Sequence, residues 1–298
     1  MSTKHPPILV WDRKQGREIE EKVYGEGSVR FMYANPFGRG LGDALLSRRW
    51  FSRGYGWLQS RRWSGRKVEP FIERYGIPMD EYEPGPFPTF NDFFIRRFRE
   101  GARPWIRDPN VMAAFAEARY LAWSSIEDEQ TFPVKGEHLS AASLMGSEER
   151  ARDFVSGPLL LARLCPVDYH RFHYPDDGRV LDSYRAHGAF HSVNPVALKA
   201  KSDVLATNER HISILETAGF GKLAYIEVGA MMVGKIVQSH VGPEFKRGDE
   251  KGYFLFGGST VVVLGEPGRW RPDAEILRQT AQQRETLIRL GEPVAMRA

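Results

Sequence analysis

Two glycines and a hydroxyl, Gly257-Gly258-Ser259-Thr260, stand immediately ahead of the apolar run Val261-Val262-Val263-Leu264. Residues without a Cβ let the backbone take φ > 0 and let another group come close to a carbonyl carbon. A serine hydroxyl placed there can attack the carbonyl just ahead of it and turn the amide into an ester. Elimination then cuts the chain and leaves a ketone in place of the serine amine. A protein-derived pyruvoyl group arises in this way, and it is an electron sink of the kind decarboxylation needs. The same residues also read as a glycine turn feeding a buried strand.

Further stretches set polar groups in apolar surroundings. Asp168-Tyr169-His170-Arg171-Phe172-His173 follows the apolar run Leu159–Leu164. Two histidines three apart, beside Asp and Arg at a strand end, suit a general acid/base and its orienting partner, or a pair of structural loop histidines. A metal site is disfavoured, because no Cys, Asp or Glu falls at an obvious spacing to complete one. Phe190-His191-Ser192-Val193-Asn194-Pro195 is a polar turn, Asn208-Glu209-Arg210-His211 leads into a strand, and Glu227-Val228-Gly229-Ala230 has the glycine of a bulge or close approach.

The elements that must position these groups are readable in part. Residues 8–30 predict short strands around the turn Asp12–Gly16. From Asn35-Pro36, the residues Leu41, Ala44, Leu45, Trp50, Phe51, Tyr55, Trp57 and Leu58 recur at roughly helical spacing, interleaved with Arg39, Arg48, Arg49, Arg53, Arg61, Arg62, Arg66 and Lys67. Such a stretch can lie in a membrane interface, or pack as an ordinary layer with solvated arginines. A second helix is expected over Lys67–Tyr75, stopping at Gly76-Ile77-Pro78. The stiff segment Pro84–Pro88 divides an N-terminal layer (1–85) from a core (86–298). Thr89 is a plausible cap for a helix running to Phe98. Val111–Ala116, Leu159–Leu164, His211–Leu215, Leu223–Ile236 and Thr260–Leu264 predict strands, with a helical insert near Ala141–Val155 and a helical tail over Ala274–Leu290. The expected class is α+β: a compact β-rich barrel- or sandwich-like catalytic core with an N-terminal helical, membrane-facing layer.

Bulk properties narrow the function. The 298 residues carry 42 Lys+Arg against 38 Asp+Glu, a net charge of +4. That suits an anionic membrane surface and falls short of a nucleic-acid binder. Cys165 is the single cysteine, so an internal disulfide is excluded and a reducing compartment is expected. The first 21 residues lack the apolar core of a secretory signal, and no apolar run has the ~18–20 residues that span a bilayer.

Taken together, these stretches resemble the phosphatidylserine decarboxylase proenzyme family from about Ile8 to Val294. The resemblance rests on Phe90-Asn91-Asp92-Phe93-Phe94 with Gly101-Ala102-Arg103-Pro104, Asp168–His173, Ser192-Val193-Asn194-Pro195, Asn208-Glu209-Arg210, Val228-Gly229-Ala230 and Gly257-Gly258-Ser259-Thr260. Matching blocks in the same order are far more specific than one motif. The resemblance implies self-cleavage between Gly258 and Ser259, giving a β chain of 1–258 and an α chain of 259–298 that stay associated, with room for a homodimer. Ser259 becomes the pyruvoyl group, and no metal or pyridoxal phosphate is needed. His170 matches the base that activates Ser259, His173 a supporting group, and His191, Ser192 and Asn194 candidate substrate contacts. The implied reaction turns phosphatidylserine, or a related amine, into phosphatidylethanolamine on the inner, cytoplasmic face of a membrane.

One block departs from the family pattern. Glu117 and Ala118 stand where the family has an Asp-Gly pair, so the resemblance makes Glu117 the catalytic acid that orients the His170 imidazole. Glutamate reaches one methylene further, and an alanine stiffens a turn that needs φ > 0. A displacement of about 1 Å in a catalytic shell can cost on the order of 100-fold. The departure leaves two other readings open, a pyruvoyl-dependent decarboxylase of a soluble amino acid and a non-cleaving lipid-binding relative.

Overall fold

Alternating apolar residues between turn signals dominate the chain, and in the computed structural model they become strands. Residues 7–21, 54, 56–126, 139–192, 203–230, 235–257 and 259–298 are described. In chain order the strands are β1 (Leu9–Asp12), β2 (Arg17–Glu20), β3 (Val111–Ala113), β4 (Ala118–Trp123), β5 (Leu159–Leu164), β6 (Arg171–His173), β7 (Gly178–Ala186) and β8 (Arg210–Thr217). They continue with β9 (Gly221–Gly229), β10 (Ile236–Gln238), β11 (Glu244–Phe245), β12 (Glu250–Phe254), β13 (Ser259–Gly265), β14 (Trp270–Pro272), β15 (Glu285–Ile288) and β16 (Pro293–Arg297).

Ten of them form one sheet in the order β11-β7-β8-β9-β13-β5-β4-β15-β1-β2. Only the β1–β15 pairing in it is parallel. The expected barrel is therefore corrected. Among the described residues the sheet is open, ending at β11 and β2, because short edge strands stop the ladder before it can close on itself. The core is β-rich with short helices, as the α+β class requires.

β13 lies at the centre of this sheet. Its Val261-Val262-Val263-Leu264 run is fully buried, the composition of a strand covered on both faces. A second sheet, β10-β12-β6, packs on the first, with the Phe172 and Tyr225 rings 6.3 Å apart. A third sheet has the order β14-β16-β3.

Helix α1 (Val68–Tyr75) follows its predicted bounds and ends on Gly76 at φ 63, the left-handed cap that glycine adopts without steric cost. Its Phe71 packs edge-on against Phe90 and Phe93. Those rings belong to α2 (Phe90–Phe94), which is shorter than expected and starts on a Thr89–Asp92 capping box. One apolar cluster joins Val68, Phe71 and Tyr82 to Phe93, Phe94 and Phe256, so chain from both sides of Pro84–Pro88 shares it. Burying a phenylalanine contributes about 1.5–3 kcal/mol.

The tail departs from expectation. Its helix ends at Ala281, Gln283 takes φ 57, and β15 enters the sheet between β4 and β1. Thr286 and Ile288 point inward and their neighbours are half-buried, a period of two that the surrounding charges obscured. Residues 22–53 and 55, which include most of the expected basic aromatic helix, lie outside the described residues. Among the described residues, no helix is long and apolar enough to cross a membrane.

Candidate active site

The Ser259 side chain opens β13, fully buried, with Leu164 of β5 and Gly229 of β9 as cross-strand neighbours. The residue two before it, Gly257, has φ 147, which a side chain would strain. Gly258 lies outside the described residues.

His170 comes to this serine from the loop ahead of β6. Its Nδ1 lies 3.2 Å from Ser259 Oγ, across 89 residues of sequence. Its Nε2 lies 2.8 Å from the carbonyl oxygen of Cys165. A carbonyl only accepts, so Nε2 carries the proton and Nδ1 keeps its lone pair toward the hydroxyl. Burial pushes the imidazole down to about 3, so it is neutral at pH 7 and able to take a proton. The Phe94 ring stacks on it at 3.8 Å.

The Cys165 carbonyl is itself fixed. Asp168 N donates to it at 2.9 Å, and Asp168 Oδ2 accepts from Cys165 N at 2.6 Å. Arg119 holds the same carboxylate oxygen. Burial pushes the Asp168 carboxyl up, against the pull of Arg119. Behind it, Glu21 takes Arg119 at 2.5 Å and Arg163 at 2.7 Å. Burial opposes its ionisation, but the two arginines overcome that and lower it to about 2.

Helix α2 holds the other side. Asn91 Oδ1 accepts from Phe256 N at 2.9 Å, while its Nδ2 donates to Ser60 Oγ at 2.8 Å. Phe256 also packs edge-on against Phe90 and Phe94. One short helix therefore supports both the imidazole and the segment that leads to Ser259.

The family model described as phosphatidylserine decarboxylase matches residues 90–295. The chain is similar to the phosphatidylserine decarboxylase proenzyme of Fusobacterium nucleatum, 37% identical over 94% of this chain and 95% of that protein. It is 36% identical to the proenzyme of Clostridium novyi (96% and 98% covered) and 38% identical to that of Desulfitobacterium hafniense (97% and 98% covered). The chain belongs to the phosphatidylserine decarboxylase family.

This decarboxylase-family chain brings together only some of the residues singled out in its sequence. Glu117 does not reach His170. Its carboxylate binds Arg103 through Nε at 2.5 Å and Nη2 at 2.8 Å, and accepts from Leu290 N at 3.2 Å. Arg103 also takes Glu81 at 2.6 Å, which fixes the carboxylate away from the imidazole. Ala118 opens β4 as ordinary extended backbone, so the expected strain in a φ > 0 turn is absent there.

His173 lies on the other side of Tyr169. Its Nδ1 donates to Gly248 O at 2.8 Å, and its Nε2 accepts from the Tyr169 hydroxyl at 3.1 Å. It lines a cleft of about 360 Å³ with Arg97, Arg103, Trp105 and Glu250. His191 is held by its backbone: its N–H donates to Asn208 Oδ1 at 2.9 Å, and its carbonyl accepts from Asn208 Nδ2 at 2.8 Å. The same Nδ2 reaches Gly229 O at 2.8 Å, which ties this loop to Ser259's cross-strand neighbour. Ser192 follows it half-buried, and Asn194 lies outside the described residues.

The sequence left Asn91, Phe94 and the Cys165 carbonyl without roles. An Asn set among three phenylalanines, beside the Asp92 of the capping box, was an available signal for Asn91. A backbone carbonyl leaves none. Among the described residues, no group of His, Cys, Asp and Glu could hold a metal ion.

The buried histidines make stability pH-dependent. Burial also takes His173 down to about 4. Unfolded histidines take up protons near pH 6.5, whereas the folded ones resist until about 4 and 3, so stability is full above 6.5 and falls as pH drops. Each contributes a slope of about 1.4 kcal/mol per pH unit. Denaturant titrations at pH 7 and pH 5.5 should show a loss of about 2–3 kcal/mol, from two such slopes over most of that interval; equal midpoints would mean the imidazoles are solvated.

Proposed function

We propose that the chain is a proenzyme that cleaves itself between Gly258 and Ser259 and then decarboxylates phosphatidylserine to phosphatidylethanolamine. The observation that carries this reading is the 3.2 Å contact between a buried serine hydroxyl and a buried neutral imidazole, next to a glycine at positive φ. His170 Nδ1 accepts the Ser259 proton as Oγ attacks the Gly258 carbonyl carbon. The ester that forms replaces the amide bond. Loss of the Ser259 α-proton then releases the Gly258 carboxylate, and hydrolysis of the dehydroalanine left behind releases ammonia.

The residues around Ser259 fit the resulting pyruvoyl group. The group stays bonded to β13 in the middle of the sheet, with Gly229 beside it offering no side chain and Phe94 keeping water from the imidazole. When formed, the group supplies an electron sink for the charge left by departing CO2. His170 is placed to return a proton near the reacting carbon. The Asp168–Arg119 pair keeps the Cys165 carbonyl, and through it the His170 tautomer, in place. His191 and Ser192 are proposed to face the headgroup, and His173 to support the site from its cleft.

The assay is CO2 release from labelled phosphatidylserine in detergent by the purified protein, alongside intact-mass analysis. Turnover by a protein in two fragments, the smaller blocked to N-terminal sequencing, is expected. Turnover by one continuous chain would overturn the reading.

The membrane-facing surface is proposed on the segment before α1. Trp57 and Trp63 are 57% and 48% exposed, the Arg61 guanidinium lies 3.8 Å over the Trp57 ring, and Lys67 lies over Trp63. Buried Ser64, next to Trp63, accepts from Phe90 N at 2.9 Å, linking this surface to α2. Amphipathic rings beside cations suit a headgroup layer. Replacing both tryptophans by serine should weaken sedimentation with phosphatidylserine vesicles by roughly tenfold; unchanged binding would place the contact elsewhere.

A further inference from the structure

A second buried polar cluster lies outside the Ser259–His170 contact. Lys251 Nζ, on β12, donates to Glu227 Oε1 on β9 at 2.6 Å and to Gln238 Oε1 on β10 at 2.7 Å. Glu227 Oε2 lies 3.1 Å from His211 Nδ1 on β8. Lys251 and Glu227 are 1% and 0% exposed. Pairing of β12 with β6 jumps from Glu250–His173 to Gly252–Phe172, so Lys251 is the extra residue of a bulge. Bulges re-aim side chains, and this one sends an ammonium into the core between two sheets.

The two ends of the pair lead to the two halves of the reacting site. Three residues beyond Lys251, Phe254 N donates to the His170 carbonyl at 2.9 Å. The chain then runs through Phe256 and Gly257 toward Ser259. Two residues beyond Glu227, Gly229 is the cross-strand neighbour of Ser259. The ion pair therefore bridges the layer that carries His170 and the sheet that carries Ser259. A buried ion pair is a weak source of stability compared with apolar packing, but it is directional and fixes geometry.

We infer that the Lys251–Glu227 pair is a positioning strut that sets the separation of His170 from Ser259 for self-cleavage. The inference rests on the self-cleavage reading above. Neither residue touches the reacting atoms. Their effect passes through β12 and β9, where a shift of about 1 Å is enough to slow a reaction on the order of 100-fold.

The test pairs Lys251→Met with Glu227→Leu, which removes both charges together and leaves no buried ion unpaired. The full-length double variant is expected to melt at or above the parent temperature yet cleave at least tenfold more slowly. Cleavage within twofold of the parent rate overturns the inference. So does a slowing matched by loss of folded protein at the assay temperature, in this variant or in Glu227→Gln. A second measurement is independent of cleavage. In a Ser259→Ala background, peptide-level hydrogen exchange of residues 250–257 should quicken at least tenfold in the double variant while 259–265 keeps its protection. Unchanged protection at 250–257 rules out the strut even if the parent chain never cleaves, an outcome that would separately refute the self-cleavage reading.

Discussion

Ser259→Ala is expected to leave the chain whole. Intact-mass analysis should show one species near the 34.0 kDa sequence mass, where the parent is expected to give residues 1–258 and 259–298 as separate fragments. The substitution removes the oxygen proposed to attack and little else. The hydroxyl is fully buried, and its hydrogen bond to His170 contributes on the order of 1 kcal/mol. β13 keeps its pairing with β5 and β9 through the backbone, so the variant should melt within a few degrees of the parent. Decarboxylation should be lost together with cleavage, because the residue removed is the proposed pyruvoyl precursor. A Ser259→Ala protein that still separates into two fragments would show that the bond breaks by another route.

The second large effect is expected at His170. His170→Ala removes the group proposed to take the Ser259 proton, and general-base catalysis is typically worth about 10²–10⁴-fold. That corresponds to about 3–5 kcal/mol of barrier. The same change leaves the Cys165 carbonyl without its imidazole donor and removes the ring on which Phe94 stacks, so a stability loss of about 1–3 kcal/mol accompanies it. A time course on denaturing gels, at a temperature where circular dichroism shows the variant folded, separates the two effects. Asp168→Asn gives the comparison. The amide oxygen can still accept from Cys165 N, but the charge that holds Arg119 is gone, so a smaller slowing of about tenfold is expected. If His170→Ala cleaves at the parent rate while folded, the 3.2 Å contact is structural and the base lies elsewhere.

The location of Glu117 changes how the departure from the family pattern is understood. The resemblance places the imidazole's orienting acid at that position, where a longer side chain would displace it. In the fold it binds Arg103, and a carbonyl orients His170 instead. The carboxylate that accepts from Cys165 N belongs to Asp168, inside the same short block as His170. The departure at Glu117 and Ala118 therefore falls on an ion pair and on the first residue of a strand, where an additional methylene and a Cβ are accommodated.

Features that depend on a few adjacent residues were already determined by the sequence: the buried run of β13, the glycine with φ 147 ahead of it, the Thr89 cap, the stop of α1 at Gly76 and the bounds of β5. Each follows from the allowed φ/ψ of one residue or from side-chain periodicity within one element, and neither depends on the rest of the chain. Only the tertiary structure decided that His170 meets Ser259 across 89 residues, that Glu117 turns to Arg103, and that the charged segment Glu285–Ile288 becomes a strand beside β1. Those outcomes depend on which strands become neighbours and which buried charges find partners. Both are set by burial and pairing summed over the whole sheet, and no local window of sequence contains that sum.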